Sequence, residues 1–219
     1  MNRLFFLELL EAKPRLLARM VAFNSPAVPP LPEGSAMERA WAHGDLRRVL
    51  EKRRAPEAAA CGFWDFAEES RRLAFFTPQA LAQFSGLAAA ALMGGQIART
   101  IDRAGVAALK GSMGEDLYRY GLMRGRFQAS GLPAALERFL PDAAPEARFP
   151  VYASLVVAIV RSGWPRALAE RTAGLVREAG LMEMLFPEPP DPALCRRVWH
   201  FSKKIIVREQ GGTWSEFFD

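Results

Sequence analysis

The sequence predicts an all-α protein, a compact bundle of roughly nine to eleven helices with a proline-rich linker after its first helical segment. Three observations carry that expectation. Ala and Leu are abundant, whereas β-branched residues are sparse outside one or two stretches, a composition that favours helix over sheet. Apolar residues recur at three- and four-residue spacing through most segments. Helix-start residues stand ahead of several of those segments, Thr77-Pro78, Asp102 and Asp191-Pro192 among them.

Taken in order, residues 2–23 read as helix interrupted near Pro14, because a proline inside a helix removes a hydrogen bond and crowds the preceding turn. "FNSPAVPPLPEGS" follows, and its prolines from Pro26 to Pro32 impose an extended, semi-rigid connection. The organisation expected is therefore an N-terminal segment, 1–34, and a helical body, 35–219, with a sub-boundary at the second linker, 141–150. Residues 36–54 resume the helical pattern with Trp41, Leu46, Val49 and Leu50 inward. Thr77-Pro78 starts a helix expected to end at the Gly94-Gly95 break. Asp102 caps the next, and "SMGE" at 112–115 matches a capping box for a third. Gly131-Leu132-Pro133 opens a short helix, and 151–162 is apolar nearly all round, the signature of a buried bundle centre. Pro165 restarts the chain into an amphipathic helix with Leu168, Leu175 and Val176. The last helix, from Asp191-Pro192, carries the stripe Leu194, Val198, Phe201, Ile205.

The chemistry of the side chains points away from catalysis, and no cofactor is expected. With only His43 and His200, a catalytic triad or a histidine metal cluster has almost nothing to draw on. Cys61 and Cys195 stand far apart and suggest neither a disulfide framework nor a four-ligand site, which fits a reducing compartment. "LKGSMG" at 109–114 lacks the glycine spacing and the Lys-Ser order of a phosphate loop. Glu68-Glu69 ahead of Arg71 and Arg72 reads as a salt-bridging helix face, and Glu115-Asp116 as first-turn acids favoured by the helix dipole. The apolar run at residues 4–7 is cut by Glu8 and Glu11 with no cleavage motif after it. The longest apolar stretch, 151–160, is half the ~20 residues of a membrane span. A cytoplasmic location is the expectation.

The formal charge of +5 and the pI near 9.6 come from 29 basic residues interspersed with 24 acidic ones, a mild field rather than a polybasic tail. Two basic clusters stand out: Arg47, Arg48, Lys52, Arg53 and Arg54, and Arg196, Arg197, Lys203, Lys204 and Arg208. In the second, Arg197, His200, Lys204 and Arg208 share one helical stripe. Local helix electrostatics account for such charges, and an acidic protein partner or a nucleic-acid backbone would also use them. Large aromatics at Trp64 and Phe66, and Trp214 in the terminal "TWSEFFD", lie where burial by the chain's own core is least assured, although core packing accounts for most such aromatics, which commonly anchor the last element of a domain. Arg47, Arg48, Arg53, Arg197, Lys204, Arg208, Trp41, Trp64 and Trp214 are accordingly the candidate partner-binding residues.

One stretch points further. "LAQFSGLAAAALMGGQIARTIDRAGVAALKGSMGEDLYRYGL", with Ile97, Ile101, Val106, Leu109, Gly114, Tyr118 and Tyr120, resembles the SctK (YscK) accessory proteins of bacterial type III secretion systems. Phe23-Asn24 followed by Pro26 and Trp41 looks like that family's N-terminal entry, so the resemblance spans residues 20–125. It implies a non-enzymatic cytoplasmic adaptor of the sorting platform. Such an adaptor joins the forkhead-associated-like cytoplasmic domain of the inner-membrane ring protein to the pod protein. The alternative is a helical nucleic-acid-binding or regulatory protein, resting on the positive charge alone.

Overall fold

The structure is a computed structural model that describes residues 12–24, 62–129, 131–210, 214, 217 and 218. Among these residues it contains nine α-helices, short 3-10 turns and no strand, an all-α multi-helix fold. The chain divides into two compact units, Met1–Phe75 and Phe76–Asp219. The expected divide between residues 34 and 35, and the expected helix at 36–54, lie outside the described residues.

In the first unit, helix α1 (Pro14–Asn24) begins where the proline interruption is expected, with its missing N–H at a helix start. Its inner face buries Leu16, Leu17, Met20 and Val21. Phe23, Phe63, Phe66 and Phe75 form an aromatic cluster with ring centroids 4.3–5.9 Å apart, edge-to-face except for the tilted Phe66–Phe75 pair. Asn24 locks the segment after residue 61 onto α1: its Nδ2 donates to the carbonyls of Met20 and Phe63 (2.9 and 2.7 Å), and its Oδ1 accepts from Phe63 N–H (2.8 Å). The Phe23-Asn24 fragment is therefore a packing and hydrogen-bonding staple. Phe66 is core, the role favoured for most of these aromatics, because this cluster encloses it. In the 3-10 turn Glu69–Phe75, Arg71 pairs with Asp65 and Glu68. Arg72 turns inward, where its Nε donates to Phe66 O at 3.1 Å. Burial lowers the Arg72 guanidinium from its usual value, with Glu69 opposing.

The second unit is built around α2 (Pro78–Arg99). Thr77 caps it, the hydroxyl accepting from Ala80 N–H at 3.1 Å, and Pro78 occupies the first turn. The helix does not stop at Gly94-Gly95 but continues to Arg99. The glycines serve packing rather than termination: a Cβ on Gly94 would lie 2.5 Å from the Arg126 Cβ and 2.6 Å from the Gly121 carbonyl oxygen. Length and hydropathy alone would let α2, rather than 151–160, cross a bilayer. Most of that stretch is buried inside the protein.

Helix α3 (Arg103–Met113) starts at Asp102, whose Oδ1 accepts from Gly105 N–H at 2.7 Å, as expected. "SMGE" is not a capping box: Ser112 is still in α3, donating to Leu109 O, and Gly114 starts α4 (Glu115–Met123) at φ 84° without a side-chain cap. A positive φ suits glycine, so the helix break falls there. After α4 come a 3-10 turn (Gly125–Phe127) and α5 (Leu132–Leu136).

Helix α6 (Pro145–Ser162) shortens the second linker to residues 141–144. Pro145 stands in its first turn, and Pro150 is accommodated inside the helix at the loss of one ladder donor. The second compact unit accordingly runs through 141–150 without a boundary. Residues 152–157 are all buried, as the apolar pattern predicts. The single helix expected after Pro165 is two, α7 (Arg166–Arg171) and α8 (Ala173–Glu178), parted at Thr172. Helix α9 (Pro192–Ile205) is capped by Asp191 and buries Leu194, Val198, Phe201 and Ile205, the predicted stripe.

Helix α2 packs most extensively on α4 and α6, while α6 also meets α3 and α9. Trp214, Phe217 and Phe218 close the second unit around Phe76, with Trp214 4.2 Å from the Phe76 ring.

Two adjacent glycines of α2 should respond oppositely to a methyl group. Gly94→Ala forces backbone apart and should cost about 2 kcal/mol or more. Gly95→Ala meets nothing within 4 Å and should stabilise by about 0.5–1 kcal/mol through helix propensity. Urea denaturation of both variants checks this; equal destabilisation would contradict the close α2–α4 approach at Gly94.

Candidate functional site

Gly125 sets the geometry of the most distinctive surface of the second unit. A Cβ on Gly125 would be 2.7 Å from Ala91 Cα, so backbone meets backbone and α4 must tighten into its 3-10 turn. The residues around the glycine are driven outward. Met123 is 63% exposed and Phe127 70%, and the Arg124 side chain is 64% exposed. Arg126 lays its guanidinium over the Phe127 ring at 4.6 Å.

The other wall comes from α9. Beyond Ile205 the helix widens into a π turn, Ile206–Gln210, anchored where Gln210 Nε2 donates to Ala80 O at 2.8 Å. Glu209 is sunk to 7% side-chain exposure; its Oε1 accepts from Gln128 Nε2 (2.9 Å) and from Arg124 Nη2 (3.2 Å). Lys204 and Arg208 remain exposed. Met123, Arg124, Phe127, Gln128, Lys204, Arg208 and Glu209 thus line one open depression of about 410 Å³. Beside it, burial raises the Tyr120 phenol far above the ordinary tyrosine range, with Glu209 adding and Arg124 opposing.

The depression brings together Lys204 and Arg208 from the predicted basic stripe but not Arg197, which is exposed and donates from Nη2 to Gly131 O at 3.2 Å. His200 is also exposed. Trp214 is corrected from candidate anchor to core residue: at 4% exposure it is enclosed by its own chain. Trp64 is half-buried, its indole nitrogen crowding the Gly62 Cα so closely that a Cβ there would sit 2.5 Å away. Trp41, Arg47, Arg48 and Arg53 lie outside the described residues, as does His43. Met123, Arg124, Arg126 and Phe127 are not among the residues that the sequence pattern singles out. Their signal was "LMRGRFQ", cations and large apolar groups alternating across a glycine at a helix terminus.

Among the described residues, no group of three His, Cys, Asp or Glu side chains converges on a metal-sized site. The arrangement can bind but offers no nucleophile with an adjacent base. Comparison with known protein families, curated proteins and solved structures finds no match.

Glu209 should matter to folding in a way its exposed neighbours do not. We predict that Glu209→Ala, which strands the Gln128 amide, lowers stability by about 1–2 kcal/mol. Arg208→Ala should stay within about 0.5 kcal/mol of the parent; chemical denaturation of the pair tests the contrast, and equal losses would contradict the assigned partners. Alkaline pH offers a second check. Tyr152 is pushed up to about 12 by burial, with Glu137 adding, and Tyr120 is raised further. An unfolded phenol ionises near 10. Both folded values are raised, so this stability is intact below pH 10 and lost as pH climbs toward 12 and beyond. Tyr152→Phe should flatten that decline in denaturation midpoints, and an unchanged slope would refute the assignment.

Proposed function

We propose that the protein is a non-enzymatic cytoplasmic adaptor of a type III secretion sorting platform. It bridges the forkhead-associated-like cytoplasmic domain of the inner-membrane ring protein to the pod protein at the cytoplasmic face of the secretion apparatus. The observation that carries this reading is the exposed cationic and apolar surface made by the ends of α4 and α9, a surface suited to a protein partner. Mixed character matters here: exposed cations steer association, and exposed large apolar groups supply the area that holds it. The resemblance over residues 20–125 supports the same reading. Several residues of that stretch have structural roles: Asp102 caps α3, Ile97, Leu109 and Tyr118 are buried, and Gly114 turns the chain between helices, whereas Ile101 is exposed. An adaptor calls for such a body, a fixed scaffold presenting surfaces rather than a cleft presenting reactive groups.

The test is co-purification of the full chain with the ring protein's cytoplasmic domain and with the pod protein. Retention of both is expected, through separate surfaces. Reversing Arg197, Lys204 and Arg208 together to Glu should slow association with one partner roughly tenfold or more at low salt, with the helical circular dichroism unchanged. Reversal of Arg47, Arg48 and Arg53 should act on the other. Failure to retain either protein, or indifference of both partners to both reversals, would sink the reading.

A further inference from the structure

We infer that the depression between α4 and α9 docks an acidic protein segment whose carboxylates flank an apolar anchor side chain. This deepens the adaptor reading and rests on it only for the partner's biological identity. Among the described residues neither Lys204 nor Arg208 has a carboxylate partner, and both line the depression. The single acid of the site, Glu209, is sunk in its floor and engaged by Arg124 and Gln128, so the rim is left cationic. An incoming carboxylate meets complementary charge there, with only the partly exposed Arg124–Glu209 pair as competition.

Charge alone would suit any polyanion; Met123 and Phe127 narrow the choice. Both are more than half exposed within the same depression, where water is a poor neighbour for a thioether chain and a phenyl ring. A phosphate backbone would satisfy Lys204 and Arg208 while leaving those apolar groups wet. An apolar anchor from a protein covers them, and methionine adapts its shape to such an anchor. A volume of about 410 Å³ accommodates a few side chains rather than a folded domain, as in the docking of a short helix or linear segment.

The surface is also built in advance. Arg124 is held by Glu209, Glu209 by Gln128, and the 3-10 turn by the backbone contact of Gly125 with Ala91. Less side-chain freedom is then lost on binding, so a small contact can reach useful affinity. The π turn belongs to the same design, because this rare helical form is found disproportionately at functional sites.

The experiment uses the full chain with its eight methionines labelled in the methyl group and the Met123 resonance assigned by substitution. The probe is a synthetic Asp-Glu-Phe-Glu-Asp-Leu peptide. Expected is a saturable shift of the Met123 methyl. Binding should weaken about tenfold when serine replaces the peptide's phenylalanine or amides replace its acids, and by a similar factor in Lys204→Glu/Arg208→Glu and in Phe127→Ser. The spectrum of the remaining methyls reports that each variant is folded. No Met123 shift, equal binding of the serine peptide, or tighter binding of a short oligothymidylate overturns the inference, the last in favour of nucleic acid. Peptide binding without capture of either secretion partner would leave this site standing and remove the adaptor assignment. Capture of the partners with a silent Met123 and no effect of Lys204→Glu/Arg208→Glu would do the reverse.

Discussion

The close approach of α2 to α4 is the constraint on which the second unit depends. Gly94 faces the Gly121 carbonyl, Gly121 faces the Ala90 carbonyl, and Gly125 faces Ala91 Cα, each at a separation that leaves no room for a Cβ. Four consecutive alanines, 88–91, present a surface low enough for the second helix to settle on it. Backbones that touch directly leave little latitude for sliding, since the contact consists of main-chain atoms rather than adaptable side chains. Everything at the end of α4 inherits this rigidity. The 3-10 turn, the outward thrust of Met123 and Phe127, and the reach of Arg124 toward Glu209 all follow from where Gly125 must sit.

The second wall of the depression is held from a different direction. Ile205 and Ile206 are both buried, which draws the end of α9 into the core, and Gln210 ties the widened turn to the first turn of α2. One helix, α2, therefore positions both walls: its middle fixes the end of α4, and its start fixes the end of α9. The Arg124–Glu209 pair is weak support by itself, since Arg124 is largely solvated. Its importance is orientational. A carboxylate buried to 7% exposure on a pinned turn gives a flexible arginine one preferred direction.

How much of this could be read from residues alone depended on whether the cause lay within one helix or between two. Caps at Thr77, Asp102 and Asp191 were legible because a side-chain oxygen and an N–H two or three residues on suffice to make them. The stripe of α9 was legible because spacing of three and four is an intrahelical property. Gly94-Gly95 was read as a break because its reason stands on another helix, out of sight of local pattern. Ser112 to Glu115 matched a capping box in spelling, but Gly114 adopts a positive φ that ends one helix and begins the next. Prolines at 145 and 150 suggested a linker, yet burial of 152–157 outweighs one missing ladder bond. The candidate site divides likewise. Lys204 and Arg208 were found from periodicity, while Met123, Arg126 and Phe127 acquire meaning only beside them.

A bridging protein faces a requirement different from that of an enzyme. An enzyme must hold a few groups against reacting atoms; a bridge must hold two partners at a fixed separation, so stiffness between its surfaces matters more than reactivity at either. On the adaptor reading proposed above, the backbone-to-backbone helix contacts of the second unit would serve that end for the surface this unit carries. They bury little apolar area per residue, so stability has to be supplied elsewhere, and here it comes from α6 and from the aromatic closure at Phe76, Trp214, Phe217 and Phe218. Trp214 then does more by being buried than it could as an exposed anchor, because its packing on Phe76 joins the terminal segment to the residue that leads into α2. The helix that positions the cationic surface and the aromatics that hold the unit together meet at that point. Loosening the aromatic closure would therefore blur the cationic surface from a distance, without touching a single charged residue that forms it.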